Sequence, residues 1–424
     1  MKVCLIHFSA TNVERSINLL IEYQCPQCGA PATLQETDRL FDCEYCHVKS
    51  YLVEKNFFRY ILPNAAPENK NLVYVPYWRF KGMLFYCLSQ GIQHRFIDVS
   101  HQAVQSRYFP FSLGFRSQTL KLQFVSQETN GRFLKPTLSL QKVMEIFDKR
   151  FTQALPKPIF HQSHIGETIS LIYSPYYIDN KIYDAVLNRA VSSVLPDDFS
   201  IDLFPGGPPD WRIRFLPVLC PNCGWDLHDQ PDALILHCEN CNSVWQPVEN
   251  SFKKLKFAHI PGEGDNLIYL PFWRIKAEIS GINLISYADL VKVANLPKAI
   301  QEDWHDIKFR FWALAFKVRP RSFLRIARHM TLSQPREKMD PTLPDARIHP
   351  VTLPISEALE TLKTNLADFI KPKKLVQAKL RDITIRPKSY ALVYIPFDDK
   401  IHELIQPVYK VTINKNQLAL AGNL

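Results

Sequence analysis

CPQCGAPATLQETDRLFDCEYC occupies residues 25–46, and CPNCGWDLHDQPDALILHCENC occupies residues 220–241. Each stretch carries two Cys-x-x-Cys pairs, with 14 residues between the inner cysteines. A Cys-x-x-Cys pair on a tight turn aims two thiolates at one point. A second pair completes a tetrahedral set of four, which suits Zn²⁺. The candidate ligands are Cys25, Cys28, Cys43 and Cys46 for one ion and Cys220, Cys223, Cys238 and Cys241 for a second. Two structural Zn²⁺ per chain are expected. Iron also accepts four thiolates, but this spacing favours zinc. With every position filled by cysteine, no coordination position is open to a substrate. Gly29 and Gly224 follow the first pair of each set, where such a turn often needs a positive φ. His47, His228 and His237 flank sets that are already complete, so they read as neighbours of the metal rather than ligands. Cys4 and Cys87 are left over and read as inert thiols.

The two cysteine sets are related by a constant shift of 195 positions. The same shift carries NLVYVPYWRFKG (71–82) onto NLIYLPFWRIKA (266–277). Further on, PTLSLQKVMEIF from Pro136 matches VTLPISEALETL from Val351, and LIYSPYY (171–177) matches LVYIPFD (392–398). The second copy therefore holds about 20 extra residues between 277 and 351. The chain reads as a tandem duplication: unit one over 1–204, a connector over 205–210 with the composition PGGPPD, and unit two over 211–424. In each unit a zinc ribbon (about 21–52 and 216–247) precedes a β-rich body (about 53–204 and 248–424).

Residues 72–88 and 92–104 alternate apolar and polar about Ser89-Gln90-Gly91, a hairpin signature. Helical spacing of apolar residues predicts helices over 139–155 and 355–370, each opening on a capping serine. Residues 170–187 and 391–406 read as hairpins turning at Asp179-Asn180 and Asp398-Asp399. The expected class is α+β, mainly antiparallel β, with about one amphipathic helix per unit. A Tyr-x-Pro-Phe/Tyr phrase begins at Tyr74, Tyr173, Tyr269 and Tyr394. Proline within a strand is confined to edges, ends or bulges. The phrases therefore read as bulged edge strands, whose aromatics pack a core or whose edges dock a partner.

The 424 residues are 46% hydrophobic and 22% charged, values of a globular chain that exclude bulk disorder and a coiled-coil rod. Prolines outnumber glycines 31 to 13, which favours many short elements over a helical bundle. No run approaches ~18 consecutive apolar residues, so no transmembrane segment is expected. The apolar run in MKVCLIHFSATNVERS is too short for a signal peptide, and the chain reads as cytoplasmic.

Net charge is +10, of which +8 falls in residues 211–424. From Ile307 to Arg336 there are eight basic residues and no acidic one. Strand alternation would expose Lys317, Arg319 and Arg321 while burying Phe316 and Val318, with Arg325 and Arg328 following at helical spacing. These five form the candidate partner-binding surface, suited to a phosphate backbone or an acidic protein.

The cysteine sets resemble the zinc-ribbon superfamily found in transcription factors, RNA polymerase subunits and many bacterial proteins. At the second knuckle, His47 and Asn242 stand where glycine is usual. A ribbon followed by YVPYWRF also resembles uncharacterised bacterial proteins with a Tyr-x-Pro-Tyr-Trp β segment, a resemblance that implies an architecture and no activity. No phosphate-binding glycine loop, nucleophile elbow or His-Glu-x-x-His motif is present. Asp98 with His101, and Asp303 with His305 and Asp306, read as solvated surface groups. The sequence thus supports a non-catalytic scaffold or adaptor with protein partners in a larger cytoplasmic assembly. The alternatives are a nucleic-acid-binding protein using the ribbons and the 307–336 strip, and an enzyme with an unrecognised site between the units. A small-molecule substrate is not expected.

Overall fold

The computed structural model describes residues 20–53, 56–114, 119–209, 211, 213–372, 379–419 and 421. Cys4, Asp210 and the stretch considered as a leader lie outside them. The fold is α+β, dominated by strands. Strand Leu72–Leu88 runs antiparallel to Ile159–Ile178, and Leu267–Ser280 antiparallel to Thr384–Asp399. The register repeats: Tyr74 faces Pro175 and Pro76 faces Tyr173, just as Tyr269 faces Pro396 and Pro271 faces Tyr394. Each Tyr-x-Pro phrase thus lies against the other one of its own unit.

These strands sit inside their sheets, which corrects the expectation of edge strands. Proline is tolerated because the neighbouring ladder changes hands there. Strand Arg132–Leu134 pairs with Val73 and Tyr74, and Gly91–Gln102 takes over at Tyr77. In unit two Arg347–Ile348 pairs with Ile268 and Tyr269, and Phe311–Leu314 takes over at Phe272. The intervening Pro76 and Pro271 carbonyls accept from the backbone N–H of Ala103 (2.8 Å) and Ala315 (3.1 Å).

The shared tryptophan has a matching role. Trp78 Nε1 donates to the Leu138 carbonyl at 2.9 Å, and Trp273 Nε1 to the Leu353 carbonyl at 3.0 Å. Each bond pins the approach to a helix, Leu140–Thr152 in unit one and Ile355–Phe369 in unit two. Ser139 caps the first helix, whereas Pro354 precedes the second with no side-chain cap. The units differ where the sequence shift grows. Unit one continues its hairpin along Gly91–Gln102, while unit two inserts helices Tyr287–Val293 and Pro320–Ser333 around its short strand.

The far ends of the unit-one strands enter the cores of unit two. Met83, Phe85 and Ile165 pack with Phe272, Phe323 and Ile395, and Cys87 packs with Trp273 and Leu366. The Ser163 and Thr364 hydroxyls meet at 2.8 Å across this junction. The ribbons are joined as well. Strand Arg214–Pro217, which leads into Cys220, pairs with Lys49–Val53 of ribbon one. Within the connector, Gly206–Gly207 forms a short strand against Phe133 and Leu134. No helix among the described residues is long and apolar enough to cross a membrane.

Candidate metal centres and the junction between the units

The two Cys-x-x-Cys turns of each set bring four sulfurs to one point, all within 4.8 Å of one another. Sγ–Sγ separations are 3.7 Å for Cys25–Cys46, 3.6 Å for Cys28–Cys43, 3.6 Å for Cys220–Cys241 and 3.5 Å for Cys223–Cys238. A tetrahedron with Zn–S bonds of about 2.3 Å has edges of about 3.8 Å, so the donor set fits zinc. Each tetracysteine cluster can coordinate one structural Zn²⁺, and all-cysteine ligation is the pattern of closed, non-catalytic sites.

The turns are built as the sequence requires. Gly29 and Gly224 both have φ of +74°. His47 (φ 55°) and Asn242 (φ 52°) hold the same left-handed conformation at the second knuckles, so the turn survives without glycine. Both residue types enter that region more readily than most. His237 is no ligand: it is buried, its Nδ1 lies 2.9 Å from Asp229, and its ring meets Tyr394 of the body.

The candidate anion surface is only partly formed. Arg319, Arg321 and Arg325 are exposed, and Arg328 is half-buried with its Nε enclosed. Phe316 and Val318 are buried as the alternation requires, but Lys317 is only 8% exposed, a correction to the expected outer strip. Pro320 starts a helix, which ends the alternation, and the segment before it is covered on both sides. Lys317 lies instead in the wall of a cavity of about 890 Å³ between the units, with Asp38, Glu167, Asp232 and Glu357. Glu357 accepts from the backbone N–H of Gly166 and, at 3.1 Å, of Glu167. Burial pushes its carboxyl up to about 7 against the pull of Lys317. Burial likewise lowers Lys317, against the opposing charge of Glu357.

Glu357 holds its proton more tightly when folded than the ordinary value of 4.5 allows in the unfolded chain. Its contribution to stability is therefore complete below about pH 4.5 and is lost as pH rises through about 7. Glu357→Gln is expected to remove up to roughly 3 kcal/mol of that decline. Urea unfolding of variant and wild type at matched pH checks this, because proton competition for the zinc thiolates cancels in the difference.

A second buried ionic group escaped sequence reasoning. Arg79, fully buried, binds Glu36 of ribbon one and, at 2.8 Å, Asp98 of the hairpin. Burial works against the Arg79 charge, and the two carboxylates outweigh it and raise its pKa. Asp98 is therefore an internal ion-pair partner and not the solvated group expected from sequence. Neighbouring Lys81, also buried, is pushed down to about 8 by desolvation. The equivalent Arg274 has no such partners among the described residues: Pro231 stands where Glu36 would be, and the Arg274 Nε is enclosed without an acceptor among them. The one available signal was the repetition of arginine and lysine in strands otherwise apolar. No protein-family model matches the chain, and no solved structure matches it.

Proposed function

We propose that the protein is a non-catalytic, zinc-stabilised scaffold or adaptor subunit of a larger cytoplasmic assembly. The observation that carries this reading is the state of the knuckles. Tyr45 is 68% exposed and Trp225 60% exposed, each on or beside a Cys-x-x-Cys turn that zinc would hold rigid. Large aromatics presented on a rigid support are the residues that anchor protein interfaces. In the inter-unit cavity, Glu357 is held by the backbone N–H groups of Gly166 and Glu167 and faces Lys317, an arrangement that fits a support joining the two units. The repeat boundaries at 204 and 211 mark the duplication in this reading, while the two copies work as one body.

Tyr45→Ala with Trp225→Ala is expected to change stability by no more than about 1 kcal/mol. The same pair should abolish recovery of the partner that cross-links to the wild-type chain. A double variant that keeps the same cross-linked partner at full yield contradicts the reading. The acid-free surface of helix Pro320–Ser333 favours nucleic acid as the second reading. In that case Arg319→Ala, Arg321→Ala and Arg325→Ala should each flatten the log–log salt slope of filter binding by about 0.9.

A further inference from the structure

We propose that the acidic groove between the two zinc ribbons docks an extended, lysine- or arginine-rich segment of a partner protein, which adds as a strand to the edge Pro31–Gln35. This deepens the adaptor reading and rests on it. The groove measures about 1330 Å³ and runs between ribbon one, the segment 123–128 and the loop of ribbon two around His228 and Asp229. Six carboxylates line it, against a single lysine, Lys49. That is a reversal of sign in a chain whose net charge is +10. Glu22 is partnered by Lys121 at 3.3 Å and Asp229 by His237 at 2.9 Å. Asp42, Glu44 and Glu128 are exposed and have no cation within ion-pair distance among the described residues.

The backbone supplies the second element. Pro31–Gln35 is the terminal strand of the large sheet among the described residues. Strand Leu40–Asp42 is likewise terminal in the three-stranded ribbon sheet, and residues of both line the groove. The turn bond from Cys25 N–H to the Ala30 carbonyl sets the phase of the first hairpin. Ala32 and Leu34 then bond inward to strand Leu20–Gln24, and the N–H and C=O of Thr33 face away from it, toward the groove. The floor is aromatic: Tyr23 meets Phe41 at 5.7 Å and Phe124 at 5.8 Å between ring centroids. An added strand alternates its side chains between two faces. Basic residues on one face would meet Asp42, Glu44 and Glu128, and apolar residues on the other would meet Tyr23 and Phe124. Strand addition takes affinity from main-chain bonds and specificity from alternate side chains, which selects an alternating basic–apolar sequence.

The test uses the full-length, zinc-loaded chain and fluorescence anisotropy. The probe is a labelled peptide of about ten residues alternating Lys and Val, long enough for one strand. A peptide of the same composition, with its lysines and valines in separate blocks, is the control. The alternating probe should bind at least about tenfold more tightly than the block peptide, and about tenfold more tightly than it binds Asp42→Lys/Glu44→Lys/Glu128→Lys. Thr33→Pro, which removes the outward N–H, should weaken binding by about fivefold or more. Equal affinity for the two peptides overturns the proposal, because charge alone would explain it. Unchanged affinity in the triple variant, or no binding of the alternating probe, also overturns it. The three reversed positions are exposed, so this arm stands even if Thr33→Pro does not fold. Failure here leaves the adaptor reading to the Tyr45 and Trp225 experiment, which touches neither Thr33 nor the reversed carboxylates.

Discussion

Arg79→Ala is expected to destabilise the protein by about 3–5 kcal/mol, and Arg274→Ala by less than about 1 kcal/mol. The two arginines occupy the same place in the duplicated phrase, so each serves as the control for the other. Removing Arg79 takes from Glu36 and Asp98, with side-chain exposures of 1% and 9%, the guanidinium that binds both, and leaves beside them only the charge of Lys81, which desolvation weakens. Stranded buried charges are far costlier than the pair itself is favourable. Among the described residues Arg274 has no carboxylate to strand, and Arg310 beside it contributes like-charge repulsion. Denaturant midpoints for the two variants decide the matter. Equal losses would mean that the triad contributes nothing specific, and that both arginines act through packing alone.

Cys223→Ser is expected to reduce bound zinc from two ions per chain to one, by metal analysis of protein purified without chelator. Structural zinc contributes on the order of 10 kcal/mol to small folds of this kind. The effect should pass beyond its own ribbon. Tyr51 of ribbon one is buried in a cluster with Leu216, Leu227 and Trp245, and its hydroxyl donates to the Ala233 carbonyl at 3.1 Å. Amide exchange should therefore accelerate in Lys49–Val53 as well as in Leu236–Cys238, while the paired strands around Trp78 stay protected. Full protection of Lys49–Val53 in the variant would show the ribbons to be energetically separate.

The metal centres and the duplication could be read directly from the chain, because both rest on spacing. Cysteine geometry needs only local turns, and a shift of 195 is visible without a fold. The hairpin about Gly91 and the two main helices were legible for the same local reason. Alternation shows which faces are covered and not which strands stand alongside, so from sequence the Tyr-x-Pro strands fall at an edge that the sheets do not have there. The same limit applies to Lys317, which alternation alone places on an outer face. Its neighbours Phe316 and Val318 are buried as the alternation requires, but the acids that act on its charge, Glu357, Glu36 and Asp232, are distant in sequence. Pairing across such separations leaves no periodic trace, and this also hid Arg79 with Glu36 and Asp98. The acidic groove was invisible because its carboxylates come from separate segments of a chain whose total charge is positive.

Strand Arg214–Pro217 closes the outer side of Lys49–Val53. It is synthesised about 160 residues later. At translation rates of ~5–20 residues per second, that is a delay on the order of ten seconds or more. Throughout it, the emerging first ribbon carries the Lys49–Val53 edge with no strand to cover it. A chain cut or halted within residues 205–210 never covers it, and also leaves Met83, Phe85 and Ile165 without their unit-two neighbours. Such a fragment joins an open strand edge to uncovered apolar side chains, the two features that drive chains to associate with one another. Completion of the second half thus protects the first half from its own nascent copies.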